Sequence, residues 1–229
     1  MRRGGRAGRL AREGRTPPGP APGVAAAPAP PRRPPPPGRV LVVACGALAR
    51  EIEALRTQPG LAHLDLHCLP AILHNHPERI APAVEAALAA RAEGYDRVLI
   101  AYADCGTGGA LAALAARTGA AMLPGAHCYA FFEGVDAFAA RGETDAFYLT
   151  DFLARQFDAF VTRPLGLDRH PELRDAYFGH YRRLVHLAQT EDAALDAAAR
   201  RAAAVLGLAH ERRFTGLGPF AEAVRAAVP

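Results

Sequence analysis

The chain has 229 residues, half of them hydrophobic, and a formal net charge of +4. That length supports one or two domains with a sizeable core. The charge is local: residues 1–38 carry eight arginines against one acid, Glu13, and the rest is net acidic by three, so the folded part carries no basic footprint for nucleic acid or an anionic membrane.

Residues 1–38 also hold 11 of the 20 prolines, including Pro34 to Pro37. Such a segment buries too little apolar surface to offset chain entropy, which predicts a disordered or polyproline II tail. Its composition resembles a transit peptide, but the simpler expectation is a start codon assigned too early, with the protein beginning near Gly38. No stretch approaches the roughly 20 apolar residues of a membrane span, and the N-terminus lacks the apolar core of a secretory signal. Four cysteines in a chain of this size are too few for a disulfide framework. A reduced, cytoplasmic protein is expected.

From Arg39 the pattern becomes regular. Val40 to Ala44 is a short continuous apolar run, as in a strand buried on both faces. Gly46 supplies a turn, and a helix follows over Ala47 to Arg56 before Pro59 and Gly60. Leu64 to Leu69 predicts a second strand, then the loop PAILHNHPER and a helix over Ile80 to Ala92. Arg97 to Ala103 is the third strand, Thr107 to Arg117 a helix closed by Gly119, and Ala121 to Leu123 a short fourth strand. A helix from about His127 to Ala140 comes next. Beyond it lie a strand at Ala146 to Thr150, a helix at Asp151 to Phe160, and a strand at Arg183 to Leu187. A helix at Glu191 to Leu206, a last strand at Leu208 to Phe214 and a terminal helix complete the chain. Strands alternating with helices predict an α/β fold, a mostly parallel sheet with helices on both faces built from repeated strand-turn-helix units. Residues 39–229 form a single domain in this reading, or two lobes dividing near 140–165.

Three cysteines share one setting. Cys45 closes RVLVVACG, Cys105 closes DRVLIAYADCG, and Cys128 follows AAMLPGAHC. Strand carboxyl ends of a parallel sheet share one edge, where ligands bind, so these thiols are expected to converge. At strand-to-helix turns, backbone N–H groups and the helix dipole favour thiolates, the metal-binding and nucleophilic form. Three cysteines from three loops suit zinc with an open fourth position, or an iron–sulfur cluster with one unprotected iron. No CxxC spacing is present, which excludes finger and ferredoxin patterns. His74, in LHNHP after the second strand, is a candidate ligand or acid–base group. His127 is a candidate for the same rim, and Asp104 a candidate acid, base or turn former. Gly106, Gly108 and Gly109 open a helix and let backbone approach a ligand closely, a candidate anion or cofactor loop. Cys68 and His67, within the second strand, read as packing. Arg174, Arg182 and Arg183 read as solvated helix faces, and Phe131, Phe132, Phe147, Tyr148 and Phe152 as core. The chain has no serine, so a Ser-His-Asp hydrolase is excluded.

The segments ACGAL, LPAILHNHPERI, YADCGTGG and PGAHCYAFFEG in this order resemble the bacterial and archaeal family catalogued as domain of unknown function 1638. The resemblance runs over roughly residues 39 to 215. It implies motif positions at Cys45, His74, Asn75, Pro77, Cys105, Gly106, Gly109, His127, Cys128 and Gly134. Tyr102-Ala103-Asp104 departs from the family's GYG-like approach, and an HDC element is shortened to His127-Cys128. It further implies association with corrinoid-dependent methyltransferase systems. The expectation is a metalloprotein acting on a small molecule, with Cys45, Cys105 and Cys128 as ligands. Two alternatives stand beside it: a non-enzymatic module binding a small anion or partner through DCGTGG, and a metal-free cysteine nucleophile, Cys105 or Cys128, activated by His127.

Overall fold

The structure is a computed structural model in which residues 38–228 are described. The expected tail therefore lies outside the described residues, except for Gly38. Strand β1 (Val40–Cys45) organises the first half. All six of its residues are buried, and at roughly 1.5–3 kcal/mol per fully buried Val or Leu side chain it must be covered on both faces. It pairs in parallel with β2 (Leu64–Leu69) on one side and β3 (Arg97–Ala101) on the other, with Val40 opposite both Leu64 and Arg97. β4 (Ala121–Met122) joins the far side of β3, so the order is β2-β1-β3-β4. Helices α1 (Ala49–Arg56), α2 (Ile80–Arg91) and α3 (Ala110–Thr118) make the crossovers that parallel pairing requires.

The second half is a separate parallel sheet of order β5-β6-β7, built from Ala146–Thr150, Arg183–Ala188 and Ala209–Phe214. The α/β class and parallel pairing stand, but the strands form two sheets rather than one. Helix α4 (Val135–Arg141) precedes β5, and α5 (Asp151–Arg155) and α6 (Arg174–Phe178) fill the crossover to β6. Helix α7 (Ala193–Leu206) is started by Asp192, whose carboxylate accepts from the N–H groups of Ala194 and Leu195, and ended by Gly207. Helix α8 (Gly218–Ala227) returns to the first core, where Phe220 stacks on Phe131 at 5.9 Å and meets Phe132 edge-on.

Several expected boundaries move for identifiable reasons. The helix expected from His127 to Ala140 is two pieces: a 3-10 segment, Cys128–Phe132, and α4, separated by Gly134 at φ +86°. The helix expected from Thr107 begins at Ala110, because Gly108 and Gly109 both hold positive φ. The helix expected over Asp151 to Phe160 ends at Arg155 and gives way to a π-helical turn, Asp158–Thr162. Arg183 is not on a helix: it opens β6 and pairs with Glu211 at 2.8 Å and Asp145 at 3.3 Å.

A buried polar network crosses the second sheet. His186, in the middle of β6 and wholly buried, meets Asp151 at the start of α5 with Nε2 to Oδ1 at 3.0 Å. Thr190 donates to the other Asp151 oxygen at 2.6 Å, and the Asp151 N–H donates to Gln189. Burial raises the Asp151 carboxyl, but the bonds from His186 and Thr190 outweigh it and the net shift is downward. A depressed carboxyl contributes stability that is complete above its unfolded value of about 3.9 and is lost as pH falls through the folded value. Asp151→Ala should cost about 1–3 kcal/mol at neutral pH, because it leaves the buried His186 Nε2 and the Thr190 hydroxyl without their partner. Urea unfolding measures that loss, and the same series run toward acid should show a flatter decline in Asp151→Asn than in the parent.

Candidate functional site

In the order β2-β1-β3-β4 the chain moves to one side from β1 to β2 and then passes back over β1 to β3. Loops leaving the carboxyl ends of β1 and β3 diverge there, which creates the crevice where open α/β sheets bind ligands. Cys45 is the last residue of β1, His74 lies in the 3-10 segment Ala71–Asn75 after β2, and Cys105 follows β3 by four residues. Cys128 opens the segment after β4. All four side chains meet at this edge.

Backbone geometry makes the meeting compulsory. A Cβ on Gly46 would lie 2.9 Å from the Leu69 carbonyl oxygen and 3.2 Å from the Ala71 nitrogen. Only glycine lets the turn after β1 come this close to the loop that carries His74. On the other side, the N–H of Asp104 donates to Gly125 O and that of Cys105 to Ala126 O, both at 2.9 Å. These two bonds clamp the loops bearing Cys105 and Cys128 together. Cys105 takes φ +50°, the one described non-glycine residue with positive φ. Strain of this kind concentrates at functional sites.

The distances are short. Cys105 Sγ lies 3.0 Å from Cys128 Sγ, and Cys45 Sγ lies 3.5 Å from His74 Nδ1. The ligating atoms of His74, Cys105 and Cys128 all fall within 4.8 Å of one another. Cys45 stands next to this trio, fully buried, with its sulfur accepting the Ala47 N–H at 3.3 Å. Cys68 is half-buried in β2, and burial followed by the nearby Cys45 pushes its thiol up to about 11.

The electrostatics divide the group. Burial alone would lower His74, but its contacts with Cys105 and Cys45 override this and hold it up to about 10. Cys105 is drawn well below an ordinary thiol, first by the hydrogen bond from Cys128, against burial, and then by His74. Cys128 moves the opposite way, because its proton is held in the bond to Cys105 and it is buried. The two thiols therefore titrate as a pair, lowered at Cys105 and raised at Cys128, beside an imidazole that they hold up.

The other expected site residues fall elsewhere. His127 is exposed and stacks on Tyr129 at 5.0 Å, outside the trio. Asp104 turns back on its own loop, accepting from Thr107 Oγ1 at 2.9 Å, Gly108 N at 3.2 Å and Gly109 N at 2.7 Å. The last two are N–H groups of the expected anion loop, and they are already committed to this carboxylate. Gly106 carries φ +82° and its Cβ position lies 3.4 Å from Pro77, which seats the DCGTGG loop against the loop of His74. His76 is exposed, 3.6 Å from Glu78.

One residue escaped the sequence reading. Tyr102, directly after β3, is completely buried and stacks over His74 at 6.4 Å, and its hydroxyl has no hydrogen-bond partner. Burial and the surrounding thiols, Cys45 foremost, raise its phenol. Ending a strand run, it reads as one more core aromatic; only the fold surrounds it with sulfur.

Among the described residues, no helix is long and apolar enough to cross a membrane. No curated protein and no solved structure matches the chain. One family model does, over residues 68–224, a span that includes His74, Cys105 and Cys128 and begins after Cys45. The chain belongs to the family described as protein of unknown function (DUF1638).

Proposed function

We propose that the protein binds a single metal ion, zinc before others, through His74, Cys105 and Cys128, and acts there on a small molecule. The observation that carries this is the convergence of one nitrogen and two sulfur donors within 4.8 Å at the switch-point edge of the first sheet. Donors held about 2.0–2.3 Å from one ion lie at most about 4.6 Å apart. A modest contraction of that span brings all three onto a single ion, whereas an iron–sulfur cluster, whose thiolates sit on different irons, requires a wider one. Soft thiolate with imidazole is zinc chemistry. The buried and unpartnered Tyr102 hydroxyl also fits a site whose remaining partner arrives with the ion.

Cys45 takes a different part from the ligand role expected of it. Together with the Ala71 carbonyl, 3.3 Å from His74 Nδ1, it fixes the imidazole by that nitrogen. The other ring nitrogen is then the donor, the arrangement in which an outer partner orients a metal-bound histidine. Three protein ligands leave a fourth position, and a bound zinc would there activate a water or thiol for hydrolysis or methyl transfer. Exchange of a methyl group with a corrinoid-dependent partner is the reaction sequence this chemistry suits. The reduced thiols this requires suit a cytoplasmic location.

A second reading rests on a specific observation, the thiolate of Cys105 opposed to the raised His74. A metal-free cysteine nucleophile activated by His74, rather than by the exposed His127, would use this pair for covalent catalysis.

Metal analysis separates the two. The protein purified under reducing conditions should carry one zinc per chain. His74→Ala and Cys128→Ala should each lower affinity by more than the ~10- to 100-fold typical of losing an outer partner. Cys45→Ala should stay within that range. Metal-free preparations with full activity would overturn the metal reading. In the metal-free protein, alkylation of Cys105 should proceed well below the ordinary thiol range of about 8.5. His74→Ala and Cys128→Ala should each move that profile upward, and an unmoved profile would remove the nucleophile reading.

A further inference from the structure

The two sulfurs of the metal trio stand between two covalent arrangements. On a tetrahedral zinc, sulfurs about 2.3 Å from the ion are separated by about 3.8 Å. In a disulfide they are about 2.05 Å apart. Cys105 and Cys128 are at 3.0 Å. From that separation, about 1 Å of sulfur movement closes the bond. We propose that Cys105 and Cys128 form a reversible intramolecular disulfide in response to hydroperoxides, and that this bond and the metal ion exclude one another.

The backbone supports the pairing independently of the sulfur distance. The bonds Asp104 N–H to Gly125 O and Cys105 N–H to Ala126 O lock the two loops side by side. The second is made by Cys105 itself, whose backbone is left-handed at φ +50°. The Cys128 sulfur accepts from Ala103 N at 3.5 Å, on the strand side of the same turn. The pairing is also selective. Cys45 is engaged with His74 and Ala47, and Cys68 sits within β2, so among the described residues only these two thiols are in sulfur contact. Both thiols are buried, and an oxidant approaches them from the side of the exposed His127 and Gly106 that flank them.

The chemistry balances with a hydroperoxide as oxidant. One sulfur attacks a peroxide oxygen, the O–O bond breaks, water or an alcohol leaves, and a sulfenic acid remains. The second sulfur attacks that sulfenic sulfur, the S–S bond forms, and its hydroxyl leaves as water with the second thiol's proton. Two electrons pass from the thiols to the peroxide, and a dithiol reductant reverses the change.

The disulfide itself requires only the two sulfurs; its exclusion of metal rests on the metal reading above. The reduced, metal-free full-length chain is treated with hydrogen peroxide, unfolded, alkylated and mapped as peptides by mass spectrometry. The expected result is loss of two of the four thiols of the chain, a linked peptide joining Cys105 to Cys128, and recovery of both thiols with dithiothreitol. Cys45 and Cys68 should remain alkylated. Cys128→Ala should yield no linked peptide and instead accumulate oxyacids on Cys105. Pairing through Cys45, or oxyacids on Cys105 in the parent while Cys128 stays a thiol, would overturn the proposal. Zinc(II) well above its dissociation constant should slow disulfide formation by about tenfold or more. A disulfide that forms at the same rate with zinc present defeats the exclusion, whether or not zinc binds. Stoichiometric zinc without any disulfide defeats the proposal and leaves the metal reading intact.

Discussion

Parallel pairing of β1 with both neighbours is the constraint on which the site depends. Because β2 and β3 run in the same direction as β1, every connection must leave from one edge and travel back along the sheet. Cys45, His74 and Cys105 lie far apart in sequence, yet each sits at the end of a strand of this sheet or in the first loop beyond one. An antiparallel arrangement would have put alternate loops at opposite ends. Cys128 follows by the same rule from the short strand β4, with the clamp between the loops at 104–105 and 125–126 supplying the last few ångströms.

Much of this was legible in the residues. Unbroken apolar runs announced β1 and β3, and glycine after the helices announced their ends. Cysteines at strand termini then followed from the handedness and direction of βαβ units. Two lobes dividing near 140–165 were one of the two organisations expected, but the choice between one sheet and two was not legible, because short strands separated by helices carry no mark of which neighbour they will pair with. The choice between His74 and His127 was also hidden. Both flank strand ends, and only the close pass of Gly46 against Leu69 and Ala71 brings the first of them to the thiols. The same holds for Asp104: DCGTGG has the composition of an anion loop, but a carboxylate four and five residues ahead of the Gly108 and Gly109 N–H groups satisfies them internally.

Two buried polar groupings lie at the carboxyl edges of the two sheets, and they are physically unlike. The one around Asp151 and His186 is richly bonded, with both carboxylate oxygens engaged, and serves the packing of α5 and α7 against β6. The one around Tyr102 leaves a phenol without a partner and four thiols unlinked. Each grouping also holds one buried atom without a hydrogen-bond partner, His186 Nδ1 in the first and the Tyr102 hydroxyl in the second. The difference therefore lies in the donors: oxygen and nitrogen bonded to one another in the first, and one nitrogen and two sulfurs within 4.8 Å of one another in the second. That contrast separates a site from a core feature more firmly than the presence of cysteine, which is a common buried residue in its own right.

The left-handed backbone at Cys105 sets stability against chemistry at a single position. Glycine adopts φ near +50° without penalty, whereas a residue with a Cβ in that region costs on the order of 1 kcal/mol. Folding alone would therefore favour glycine there, extending the run of glycines that already follows. Retention of a sulfur against that preference marks position 105 as one where a library selected for thermal stability and a library selected for activity would drift to different residues.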